Sequence, residues 1–168
     1  MPKKIISHVV GSEPSRPPLA RRLWVATSAK VRGVDVFTVP NQSMSPTLRI
    51  RDVVPLDRAA YRAASIERGD VVVYRSQKHE GLLLPSRVVG LPGETIELRR
   101  SRLTVDGKEI EERYLEADAA NKPYSRDHGP TVVPTDFVFL LGDFRDLSED
   151  SRFIGPVMIQ FLVGRVLV

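Results

Sequence analysis

The chain has 168 residues, with 25 Lys and Arg against 21 Asp and Glu, three His and no Cys. That length suits one domain, or one domain with a small insertion, and a chain of this size hides roughly 70% of its unfolded surface. The lack of Cys excludes disulfides, thiolate metal sites and a Cys nucleophile, and His8, His79 and His128 are too scattered for a His-pair motif, so no metal and no cofactor is expected.

The basic balance is local. Residues 1–35 hold seven positive and two negative charges, and the other 133 residues hold 18 and 19. A net charge of +4 thus belongs to an N-terminal arm on a nearly neutral body, which argues against nucleic acid as a partner. No apolar run approaches the ~20 residues of a membrane helix. The start, Met1 to Val10, is too short and broken in its apolar part for a signal peptide.

Residues 11–18, with Pro14, Pro17 and Pro18, read as a linker. Leu19, Leu23, Trp24 and Ala26 among Arg21, Arg22 and Lys30 fit a short helix, either amphipathic on an anionic membrane surface or a loosely packed first helix. From Val34 the pattern becomes extended. Short apolar runs, β-branched at 52–56 and 70–74, are predicted as strands at 34–38, 52–56, 70–74, 82–84, 87–89, 95–98, 103–105, 137–141, 161–163 and 166–168. Ser76–Gly81 is a polar turn, and Asp106-Gly107 between apolar alternations signals a hairpin. Residues 115–131 are polar without a period and read as a surface insertion or long loop. The expectation is a mainly β domain of antiparallel sheets over 36–168, preceded by a basic arm or short helix over 1–35.

Four segments carry chemistry: Pro40-Asn41-Gln42-Ser43-Met44-Ser45-Pro46-Thr47-Leu48, Arg68 to Tyr74, Ser86-Arg87-Val88-Val89-Gly90-Leu91-Pro92-Gly93-Glu94, and Leu141-Gly142-Asp143 through Val157. In this order they resemble the four sequence boxes of type I signal peptidases, the Ser/Lys membrane proteases of the S26 family. The likeness covers about residues 36–168, and Leu103–Leu115 resembles the family's hairpin between the third and fourth boxes.

The resemblance implies an endopeptidase that cuts signal peptides from secretory preproteins after small residues, on the extracytoplasmic face of a membrane. Ser43 then attacks the scissile carbonyl, and the residues themselves agree: Pro40 and Pro46 pin the backbone on both sides and Met44 anchors it. The Ser43 N–H and the Asn41 side chain are expected to form the oxyanion hole. Ser148 takes the place of the Ser that orients the base. Gly142 and Asp143 open the supporting turn, and Asp150 and Arg152 pair to brace it. Phe144 and Leu147 stand where the family usually has Asn. Met44, Ile50, Leu84 and Val89 are the candidates for the shallow pockets of the cleft, with Val39 and Val72 nearby. An extended substrate is expected to pair with the strand ending at Ser86.

Two features depart from the pattern. Ser86 occupies the position of the general-base Lys, and a Ser hydroxyl has no useful basicity while Arg87 stays protonated. Lys78 and His79 precede Ser86 by seven to eight residues, roughly 23–26 Å along a strand at ~3.3 Å per residue, so the sequence places them at the far end of the hairpin. His128 is fixed by no pattern, and a water held by Ser86 and Ser148 is a further route. The second departure is Arg21–Val39, interrupted by five charges where the family has a membrane helix. The rival reading is a degenerate homologue that binds peptides without cutting them.

Overall fold

The computed structural model describes residues 35–63 and 65–168. The basic arm and the helix expected within 19–32 lie outside the described residues. Eleven strands follow in chain order: β1 (Asp35–Thr38), β2 (Val53–Asp57), β3 (Val71–Arg75), β4 (Leu83–Gly90), β5 (Thr95–Arg99), β6 (Arg102–Val105), β7 (Lys108–Glu109), β8 (His128–Val132), β9 (Phe137–Leu141), β10 (Val157–Met158) and β11 (Leu162–Val166). Single turns of helix at Ala60–Ala63, Pro123–Arg126 and Ser151–Ile154 join them. A seven-stranded sheet runs β1-β2-β11-β3-β4-β9-β10, and a four-stranded sheet runs β7-β6-β5-β8. Every strand pair is antiparallel.

The apolar run of β3 explains the layering. Successive side chains on a strand point to opposite faces. Val71 and Val73 pack with Phe37, Met44, Leu48 and Leu56 on one face. Val72 and Tyr74 pack with Val88, Val138 and Leu140 on the other. Both faces are covered, so a continuous β-branched run is what this strand requires, each buried Val contributing about 1.5–3 kcal/mol. A third cluster joins Val89, Ile96, Leu98, Leu103, Val133 and Phe139 and fixes the small sheet to the large one. Gly90 ends β4 at this junction. A Cβ there would lie 2.6 Å from Ile96 Cγ1 and 2.8 Å from Phe139 Cβ, so only Gly lets the chain pass into β5.

Two expectations change. The runs 82–84 and 87–89 are one strand, continuous through Pro85 and Ser86. Residues 115–131 are not wholly a loop: Pro123–Arg126 turns once, and β8 pairs with β5 through Thr95↔Val132, Ile96↔Thr131 and Leu98↔His128. Gly129 and Pro130 mask this strand in the sequence, and they are tolerated because β8 is the edge of its sheet. The Asp106-Gly107 turn has both residues at positive φ, 51° and 76°, as a two-residue hairpin turn requires.

Candidate functional site

Ser43 lies in a tight turn after β1, where Ser45 N–H donates to Gln42 O at 3.0 Å and Leu48 N–H to Met44 O at 2.8 Å. Met44 and Leu48 are buried in the core and hold this turn against the sheet. From the other side, Phe144 N–H donates to Ser43 O at 2.9 Å. Gly142 closes the junction: a Cβ on it would lie 2.2 Å from Ser148 Oγ and 2.6 Å from Ser43 O. The backbone of the first segment and the loop after β9 therefore touch where no side chain fits between them.

A cleft of about 220 Å³ opens beside this contact. Ser43, Ser86 and Ser148 all line it, with Asn41, Tyr74, His79, Leu84 and Glu149. β4 supplies one wall for a topological reason. β9 pairs with β4 at Arg87↔Leu141 and Val88↔Leu140, then turns away at Gly142, so Leu83–Ser86 has β3 on one side and the cleft on the other. The bonds between Val88 N and Asp70 O and between Ser76 N and Leu82 O set the even residues of β4 against β3. The odd residues, Leu83 and Pro85, then turn their backbone groups toward the cleft, where Pro85 offers a carbonyl but no N–H.

The Ser43 hydroxyl donates to Asn41 Oδ1 at 2.7 Å, and the Ser43 N–H donates to the same oxygen at 3.1 Å. Asn41 is thus an acceptor here, whereas an oxyanion hole needs it as a donor. Behind the cleft, Arg87 and Asp143 form a buried two-point ion pair, Nε to Oδ1 at 2.8 Å and Nη2 to Oδ2 at 2.6 Å. The Thr47 hydroxyl also donates to Asp143, and the Arg87 guanidinium stacks 3.8 Å from the centre of the Tyr114 ring. Asp150 accepts from Gly142 N–H at 3.0 Å and from Arg152 Nε at 2.8 Å and Nη2 at 2.9 Å. Arg145, fully buried, donates to Gly142 O at 2.9 Å and to Glu112 Oε1 at 2.5 Å.

The pocket candidates separate. Leu84 lines the cleft. Met44 and Val89 belong to two different core clusters, and Ile50 is exposed at the surface. The core positions of Val39 and Val72 likewise follow from strand alternation. Leu82, Tyr74 and Leu147 line the cleft instead. The alternation 82, 84, 86 leading into β4 was the available signal for Leu82; nothing local marks Tyr74 or Leu147.

The candidate bases also separate. His128 stands in β8, with Nε2 3.0 Å from Thr131 Oγ1 and its ring tilted on Phe139, and it does not line the cleft. Burial, with the positive Arg152 nearby, pushes its pKa down. Lys78 and His79 are not carried away from the site as strand length suggests. The hairpin tip folds over to the loop after Ser148, where Glu149 bonds both Lys78 and, at 2.6 Å, His79 Nε2. These two bonds hold the Glu149 carboxyl below its ordinary range. Burial, with Asp150 and Glu149 nearby, pushes the Tyr74 phenol up to about 12. Tyr74 also lines a second groove of about 540 Å³ with Phe137, Phe153, Met158 and Phe161.

The antiparallel β scaffold thus presents an anchored Ser beside two further hydroxyls, at a strand edge that faces the cleft. The family model for signal peptidase, peptidase S26, matches residues 22–168. The chain is 34% identical over 137 residues to a signal peptidase I of Leptolyngbya laminosa, covering 77% of this chain and 65% of that one. It is 30% identical over 146 residues to signal peptidase IB of Staphylococcus aureus, covering 79% and 75%. A crystal structure of a signal peptidase I from Enterococcus faecalis V583 matches with a TM-score of 0.54 at 33% identity, over 62% of this chain and 97% of that chain. The chain belongs to the peptidase S26, signal peptidase family. It spans 65% and 60% of the length of the first two curated relatives it matches. No helix among the described residues is long and apolar enough to cross a membrane.

Proposed function

We propose that this chain is a serine endopeptidase of the signal peptidase I type, acting on extended segments of secretory preproteins beside small residues. The observation that carries it is the convergence of Ser43, Ser86 and Ser148 on one cleft bounded by Leu83–Ser86 of β4, which pairs with β3 on one side and faces the cleft on the other. Ser43 is the nucleophile. Its N–H and the Asn41 amide form the oxyanion hole once the arriving carbonyl displaces Asn41 Oδ1 and the amide turns its N–H₂ inward. Ser86 stands in the base position, and Ser148, packed on Gly142, supports it. Gly142, Asp143, Asp150 and Arg152 hold the loop. Leu84 contributes to the shallow wall that admits small side chains. Residues 36–168 form the catalytic unit, and the basic arm over 1–35 serves attachment to an anionic membrane surface on the extracytoplasmic side.

The second reading, a homologue that binds peptides without cutting them, is favoured by Pro85 and by the engagement of both Ser43 groups by Asn41. Cleavage of an internally quenched peptide with Ala at the three positions before the cut separates the two. Wild type, Ser43→Ala and Ser86→Lys are compared. Cleavage by wild type that is lost in Ser43→Ala supports the enzyme. Cleavage by Ser86→Lys alone supports the binding homologue. Equal cleavage by wild type and Ser43→Ala removes Ser43 from the nucleophile role.

A further inference from the structure

We propose that His79, oriented by Glu149, is the base that accepts the Ser43 proton through a water in the cleft; this rests on the endopeptidase reading. Three observations converge. His79 and Ser43 line the same cleft, although they are 36 residues apart in the chain and on different elements. His79 Nε2 lies 2.6 Å from a Glu149 carboxylate oxygen, which fixes the ring and selects the tautomer that donates from Nε2 and leaves Nδ1 as acceptor. Elimination among the other titratable groups of the cleft gives the third. Tyr74 is raised and stays protonated, whereas Glu149 is lowered and stays ionised, bound to Lys78 on its other oxygen. Only an imidazole changes charge between about pH 5 and 8 without help from its surroundings.

The step balances. Ser43 Oγ bonds to the scissile carbon, and the carbonyl electron pair moves onto oxygen. The hydroxyl proton passes to the water, and a proton of that water passes to Nδ1. The Glu149 carboxylate stabilises the imidazolium. On collapse the carbon–nitrogen bond breaks and the leaving amine takes a proton back along the same route. A second water then attacks the acyl-enzyme with the same transfers, which releases the acid and restores Ser43. Ser86, small where the family has Lys, leaves room in the cleft for the bridging water.

The test uses the full chain and the Ala peptide, with wild type, His79→Gln, Glu149→Gln, Ser86→Lys and His79→Gln/Ser86→Lys. Loss of a general base lowers kcat by about 10²–10⁴-fold. We expect His79→Gln to show that loss, to keep the wild-type melting temperature, and to regain activity with added imidazole. Glu149→Gln should shift the acid limb of the pH profile, with the positive Lys78 and the phenol of Tyr74 left in place. The double variant should cleave with a limb that no longer reports an imidazole. Wild-type rates in His79→Gln, or loss without imidazole rescue and with an unchanged pH limb in Glu149→Gln, overturn the role of His79 while the endopeptidase reading stands. Cleavage by Ser86→Lys alone also overturns it. Silence from every variant, Ser86→Lys included, overturns both.

Discussion

The Arg87 guanidinium and the Asp143 carboxylate meet edge to edge at 2.8 and 2.6 Å, both buried, between the strand that carries Ser86 and the loop that carries Ser148. Arg87 also donates to Gly69 O at 2.9 Å and to Thr47 Oγ1 at 3.2 Å, so one cation ties its own signature segment to the other three. Removing one partner leaves the other charge buried and unpaired. Arg87→Met should cost about 3–5 kcal/mol. Arg87→Met/Asp143→Leu should recover part of that loss. Urea midpoints at constant slope measure both.

Gly142 offers a second test. Gly142→Ala places a methyl group 2.2 Å from Ser148 Oγ and 2.6 Å from Ser43 O, with backbone on one side that cannot yield. A cost of about 1–3 kcal/mol is expected from overpacking. Gly142→Ala/Ser148→Gly should relieve the closer contact and recover part of it. Thermal unfolding of the two variants checks this.

His128 should make the protein acid-sensitive. Its folded pKa is held below 6.5 by burial first and by Arg152 second, against an opposing pull from Asp150. Below 6.5 the unfolded chain therefore binds the proton more readily than the folded one, and stability falls as pH drops, until the folded pKa is passed. His128→Gln removes this contribution. Between about pH 7.5 and pH 5 the melting temperature of wild type should fall by more than that of His128→Gln. Parallel shifts would show that the imidazole is not responsible.

Asn41 tests the anion site. Asn41→Ala removes the amide from both Ser43 groups. If the amide serves the transition state as a donor, kcat should fall by about 10²–10³-fold with KM nearly unchanged. An increase in rate would show instead that the 2.7 Å bond to the Ser43 hydroxyl restrains the nucleophile. Steady-state kinetics on the Ala peptide decides.

Much of the scaffold was legible because strands of this length write their burial into composition. Val71–Tyr74 and Phe137–Leu141 are buried on both faces and read as unbroken apolar runs. β8 was illegible because its ladder partner, not its own side chains, makes His128-Gly129-Pro130 a strand. Arg100 and Ser101 both adopt positive φ, 49° and 68°, in the turn between β5 and β6 without the Gly that would have announced it. In the site, Ser43, Ser86 and Ser148 could be placed by their segments. His79 could not, because counting residues along a strand gives contour length, while the ion pairs to Glu149 depend on how the hairpin tip folds over. Met44 and Val89 were drawn into the cleft by their nearness in sequence to Ser43 and Ser86, but the tight turn after β1 directs Met44 into one core cluster and strand alternation directs Val89 into another.

The small sheet has a consequence for how far this chain can be shortened. Glu112 and Tyr114 follow its short strand β7, and they are partners that Arg145 and Arg87 reach from the loop and strand around the cleft. Excising residues 93–134 as a dispensable appendage would take the Glu112 carboxylate from the buried Arg145 and the Tyr114 ring from Arg87, which would keep its pair with Asp143. Trimming for a minimal engineered protein should therefore begin at the exposed turns, such as Asp106-Gly107, and leave the clasp at 112–114 intact.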